Sequence, residues 1–271
     1  MKRSVGVGLF VLAIVQLAAA AALILRVPAV TRLWPFPYTN QTSFMFVASI
    51  FAAAAASTLW CLWTNEYWAL TGVALDYLTI FTPSAIFVFQ LSASSGSVPL
   101  RNFALIAAGG AAFGLWLLLW SRRIPVRDQR PTPRLVFYSF AFFVVALVTV
   151  GGQLVLKTPD VMPWAIPPES RVLYGWFFLG AAAYFAHALF SPTWANAGGQ
   201  LAGFLAYDLV LIVPFLTLLP TIQDHLRPNL IIYIVVVSYS GLLAIYYLFI
   251  NPDTRVFRRP PLQPAIAGTP A

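Results

Sequence analysis

Residues 203–216 read GFLAYDLVLIVPFL, a run built for hydrocarbon except for one acid, Asp208. A carboxylate at bilayer depth costs about 2.5 kcal/mol or more, so such acids are rare and face a bundle interior or a polar cavity. The neighbours are apolar at nearly every position, which excludes a barrel strand, where lipid-facing and lumen-facing residues alternate. In lipid each backbone N–H and C=O needs a partner within the segment, and an α-helix supplies it. The stretch therefore predicts a membrane-spanning helix that turns one polar group inward.

Composition extends that reading to the whole chain. Apolar residues make up 60% and charged residues 9%, too few charges to cover a soluble globule. A helix needs about 20 apolar residues to cross a bilayer. Runs of that order lie near Val5–Leu25, Phe44–Leu62, Tyr67–Gln90, Phe103–Trp120, Leu135–Leu156, Val172–Phe190, Gln200–Leu219 and Leu230–Ile250. The predicted fold class is an all-α integral membrane protein with eight transmembrane helices. The first run has the basic start of a signal peptide, but it is longer than the usual apolar core of one and has a counterpart in the second half.

Basic residues set the expected orientation, because cytoplasmic loops retain Lys and Arg. Lys2 and Arg3 precede the first span. Arg122, Arg123, Arg127, Arg130 and Arg134 lie between the fourth and fifth, and Arg255, Arg258 and Arg259 follow the eighth. Four spans separate neighbouring clusters, so all three share one side, and both termini are expected in the cytoplasm. The net charge of +8 falls mainly on that rim, where it favours anionic lipid headgroups rather than nucleic acid. Abundant Ala and Arg with little Lys point to a bacterial inner membrane.

The chain also repeats itself. Trp63, Asn65, Gly72 and Pro83 recur as Trp194, Asn196, Gly203 and Pro214 at one constant offset, which also pairs Arg26 with Lys157 and Pro28 with Pro159. Asn102, Gly114 and Pro125 recur as Asn229, Gly241 and Pro252 at a slightly smaller one. The expected organisation is a four-helix repeat over 1–125, a second over 126–252, and a disordered, proline-rich cytoplasmic tail over 253–271. An even-numbered unit returns the chain to its starting side, so the repeats are parallel, related by an axis along the membrane normal.

The repeat lays Asp76-Tyr77 on Tyr207-Asp208. Each Asp lies about ten residues into its span, which at 1.5 Å per residue is close to the midplane. Pro83 and Pro214 lack the N–H that would serve a carbonyl one turn earlier, near Thr79 and Val210, so helix kinks are expected there. The acids are expected to be protonated and to donate to those freed carbonyls. Asp76, Tyr77, Tyr207 and Asp208 are thus the candidate substrate- or ion-binding residues.

Trp34 and Trp164 at one interface, and Trp63, Trp68, Trp120 and Trp194 at the other, read as an aromatic belt. The loops holding Trp34, Pro35 and Pro37, and Trp164, Pro167 and Pro168, are expected to anchor at the interface, the alternative being that they dip back over a vestibule. His187 is expected to be a satisfied interfacial histidine. Two histidines at opposite ends and the lone Cys61 offer no haem, iron–sulfur or zinc set, no lysine lies near midplane for a Schiff base, and no phosphate-binding glycine loop is present. No cofactor or metal is expected.

Three functional classes fit. One is a carrier or channel for a small solute or ion with a polar site near the midplane. Another is a non-catalytic structural or assembly subunit, which would have a membrane-protein partner or a second copy. The third is an enzyme handling a lipid or quinone, for which two acids are thin material, so catalysis is the least expected.

Overall fold

Polar residues and glycines punctuate the apolar runs and fix where helices begin and end. A computed structural model of the chain describes residues 2–36 and 39–256; Pro37, Arg258, Arg259 and the 257–271 part of the tail lie outside them. The order is α1 (Lys2–Ile24), a single turn α2 (Pro28–Thr31), α3 (Gln41–Thr64), α4 (Leu70–Ser95), α5 (Val98–Ser121), α6 (Arg134–Val155), α7 (Pro168–Phe190), α8 (Trp194–Leu218) and α9 (Arg227–Ile245). Eight of these, all but α2, are long and apolar enough to cross a membrane. Asn40 caps α3 by accepting the Ser43 N–H at 2.8 Å, which satisfies a donor the helix leaves orphaned. Gly96 closes α4 at φ +66°, a left-handed turn that costs glycine little. Pro83 and Pro214 lie inside α4 and α8 rather than ending them.

In the bundle, α3 packs on α1 and α8, α4 packs on α5 and α7, α6 on α7, and α8 on α9. The central helices are therefore α3, α4, α7 and α8, each flanked by one outer helix. Helices in lipid gain nothing from hiding apolar surface from one another, so they associate by close approach at small residues. Gly72 of α4 makes room for the Tyr184 ring of α7, Gly198 of α8 for the Trp60 ring of α3, and Gly175 of α7 lies against the Gly151 carbonyl of α6.

The long link between α5 and α6 is strapped across one end of the bundle. The Glu66 carboxylate accepts the N–H groups of Arg127 at 3.2 Å and Asp128 at 2.8 Å. Trp194 donates its backbone N–H to the Arg130 carbonyl at 2.7 Å, and the Arg130 guanidinium pairs with Asp128 and donates to the Asp253 carbonyl. Burial pushes the Glu66 carboxyl above its ordinary range, with the two N–H bonds opposing. Burial also pushes Asp128 up, but the bonds from Arg130 outweigh it and hold that carboxyl below its usual value. Glu66→Ala is expected to release the strap, so that trypsin cuts after Arg127 about tenfold faster in detergent, since roughly 1.4 kcal/mol is a fair part of what two bonds to a charged acceptor contribute. An unchanged cleavage rate would show that the strap is held elsewhere.

Two tryptophans, Trp164 at the opposite end and Trp194 at the strapped one, correct the expected aromatic belt. Trp164 is not an interfacial anchor: it is 6% exposed, its indole N–H donates to Ser43 Oγ at 3.0 Å, and its ring lies 5.8 Å from Phe46 and 5.9 Å from Phe215. The loop dips inward because its apolar residues Met162, Trp164 and Ile166 fill space among helix ends, burying more carbon than an interfacial position would. Trp194 is buried as well, edge-on to Trp60. Trp63, 71% exposed, does lie on the surface.

Candidate functional site

α4 and α8 each carry a carboxylate into the middle of the bundle, and the two face one cavity. Its volume is about 210 Å³, its walls come from α3, α4, α6, α7, α8 and α9, and both Asp76 and Asp208 line it. Most of the wall is aliphatic and aromatic carbon. Ser57, Tyr184, Gln200, Tyr207, Tyr233 and Ser240 add the remaining polar atoms, and no Lys, Arg or His is among the described residues of the wall.

Asp208 is 4% exposed. Ser240 Oγ donates to its Oδ2 at 2.9 Å, and the same hydroxyl lies 2.9 Å from the Val236 carbonyl. One hydroxyl proton serves one acceptor at a time. A proton on Asp208 would let the acid donate to Ser240 while Ser240 donates to Val236. Oδ1 has no partner among the described residues. The expected bond to the carbonyl freed by Pro214 is therefore corrected: the partner is Ser240 on α9. A helical side chain leans over the turn N-terminal to its own Cα, away from Val210, and Gly241 leaves the acid room, with Oδ2 3.4 Å from where a Cβ would stand.

Asp76 lies against Gly180 of α7, its Oδ1 2.5 Å from the position of an added Cβ, so a side chain at 180 would take the acid's place. Tyr207 lines the cavity, and its hydroxyl is hydrogen-bonded to that of Tyr233. Tyr77 does not join them. It faces α1 and α5, where Gln16 Nε2 donates to its hydroxyl at 2.7 Å and its ring packs on Phe81 and Phe113. The next position on a helix points about 100° away, which separates Tyr77 from Asp76.

The two ends of the cavity differ. Toward the strapped end Gln200 Nε2 donates to the Tyr184 carbonyl at 2.7 Å and Ser57 Oγ to the Gly199 carbonyl at 2.9 Å. Beside them Tyr184 Oη, Gln200 Oε1, Asn196 Oδ1 and His187 Nδ1 are buried without a partner among the described residues. Buried polar atoms of this kind hold water in bundle interiors. The His187 ring packs 5.3 Å from Trp68. Toward the opposite end the space is filled by Phe46, Trp164, Tyr174, Phe178 and Phe215.

Sequence reasoning missed Ser240, Tyr233 and Gln200. A signal was present: Gln200, Tyr207 and Asp208 on α8, and Tyr233 and Ser240 on α9, recur at helical spacing and put the polar groups of each helix on one face. The fold defines the chain as a polytopic α-helical protein with the spans of a multi-pass membrane protein. Comparison with family models, with curated proteins and with solved structures gave no significant match.

Proposed function

We propose that the chain is a membrane carrier for a small solute or ion, built from two parallel four-helix repeats, with the central cavity as its substrate site. The observation that carries this reading is that carboxylates from the two halves, Asp76 and Asp208, line the same cavity near the middle of the spans. Transport sites commonly form where repeats meet.

The helix pairings support the repeat. If α1, α3, α4 and α5 correspond to α6, α7, α8 and α9, then α1 on α3 matches α6 on α7, α4 on α5 matches α8 on α9, and α4 on α7 matches α8 on α3. Single residues agree. Gly72 faces the Tyr184 ring, and its counterpart Gly203 faces the Ser57 hydroxyl and the carbonyl of Ala53, the counterpart of Tyr184. A Cβ added at Gly114 would lie 3.1 Å from Tyr77 Cβ, and one added at Gly241 would lie 3.6 Å from Asp208 Cβ. The halves differ in filling. Around Tyr77 the space is taken by Gln16 and Phe113, whereas their counterparts Leu147 and Ser240 line the cavity. One half is packed and the other is open, which leaves one site.

In this reading the Arg-rich strapped end is cytoplasmic, in a bacterial inner membrane, and the polar side of the cavity faces it. A thiol introduced at Gln129 should be protected from an impermeant maleimide in intact cells, and one at Thr158 should react.

Carrier action is tested by access. With Cys61→Ala as background, Ser57→Cys places a thiol on the cavity wall. In proteoliposomes an impermeant maleimide should reach it from either face when applied there. Labelling from neither face would leave the alternative, a non-catalytic subunit in which the Asp208–Ser240 bond only ties α8 to α9. Labelling from one face alone would make the cavity a binding site without transport.

A further inference from the structure

We propose that the cavity takes a small lipophilic cation, a protonated amine on one compact aromatic or branched apolar body. The inference rests on the carrier reading and names its substrate class. Charge decides first. Two acids line the cavity, and no basic side chain is among the described residues of its wall. An anion would be buried beside two carboxylates with no counter-charge, a burden the low dielectric of the interior makes heavy. A protonated amine would pair with one ionised carboxylate, taking the place of the proton that would complete the Asp208–Ser240–Val236 chain, and that proton would leave to water.

The rest of the wall sets the body of the ligand. A hard inorganic ion such as calcium needs six to eight oxygen ligands, and this wall is mostly carbon. Phe46, Phe178, Phe185, Phe204, Tyr207 and Tyr233 supply ring faces and edges, and a cation within about 6 Å of an aromatic face is stabilised by it. The volume of about 210 Å³ exceeds the ~150 Å³ of an engineered cavity that admits benzene. One ring with a short aminoalkyl arm fits that space. Asp208 Oδ1, buried and without a partner, is the acceptor for the ammonium N–H. Entry follows from the outer wall: Ile232 belongs to it and is 62% exposed on α9. The cavity thus approaches the lipid-facing surface beside α6, where a lipophilic cation already partitions.

The test uses the full chain in lipid nanodiscs, with empty nanodiscs as the blank, and equilibrium dialysis of three ligands of matched shape: phenethylammonium, phenethyl alcohol and 3-phenylpropionate. Phenethylammonium should bind saturably, the alcohol at least tenfold more weakly, and the carboxylate not at all. Asp208→Asn should raise the phenethylammonium Kd tenfold or more, and Asp76→Asn should raise it as well, so the test survives misfolding of either variant. Equal binding of alcohol and amine, or a Kd within twofold of wild type in both folded variants, overturns the proposal. The two readings fail separately. Labelling of Ser57→Cys from both faces without amine binding keeps the carrier and rejects the cation. Amine binding with labelling from one face keeps the cation site and rejects the carrier.

Discussion

Asp208→Asn is expected to leave the bundle folded and to reduce transport of phenethylammonium into proteoliposomes by about 100-fold or more. The amide has nearly the shape of the acid, and its N–H can donate to Ser240 while Ser240 donates to Val236, the same chain a protonated carboxyl makes. It cannot become an anion, so it offers a bound cation no counter-charge in a wall with one other acid among its described residues. A loss of paired charge at a desolvated site is worth several kcal/mol, and each 1.36 kcal/mol is a factor of ten. Asp208→Leu separates structure from chemistry. It removes Ser240's partner on α8 and should lower stability by about 1–2 kcal/mol, because Ser240 retains the Val236 carbonyl. Uptake by Asp208→Asn at the wild-type rate, with an unchanged melting temperature, would make the acid a structural staple and remove the basis of the carrier reading.

The same acid shows how far the sequence could be read. Its inward face followed from one polar residue in an apolar run, because lipid leaves a carboxylate no other place. The spans were legible for the same reason, and the apolar run near Gln200–Leu219 became α8 (Trp194–Leu218), whose start extends back through Asn196, Gly198 and Gly199. The partner was not legible. Proline arithmetic pointed to a carbonyl on the acid's own helix, but that argument ignored side-chain direction, and α9 brings Ser240 closer. Tyr77 was misplaced by a related error, since adjacency in sequence means divergence on a helix. Trp164 was misread because composition gives the preference of a tryptophan for interfaces, whereas the space among Phe46, Phe215 and Ser43 that receives it exists only once α3 and α8 have packed.

The packing that creates such space can be tested at Gly175 of α7, which faces Gly151 of α6, and at the neighbouring Gly152, which faces nothing. Gly175→Ala is expected to destabilise the chain by about 3 kcal/mol, whereas Gly152→Ala should stabilise it by about 0.5–1 kcal/mol. An added Cβ at 175 would lie 2.7 Å from the Gly151 carbonyl oxygen and 2.7 Å from the Val155 nitrogen, both backbone atoms that no rotamer change can move aside. α6 and α7 must then separate along the seam that holds them, and in lipid no hydrophobic gain compensates. At Gly152 nothing lies within 4 Å, so a methyl there only reduces the freedom of the unfolded chain. Because Phe143, Leu147 and Val150 of α6 wall the cavity, the Gly175 variant should also weaken phenethylammonium binding while leaving both carboxylates in place. Thermal unfolding in detergent reads the first effect and dialysis the second. A Gly175→Ala chain as stable as the Gly152→Ala chain would mean that α6 does not pack on α7 by this backbone contact, and the cavity it encloses would have to be drawn differently.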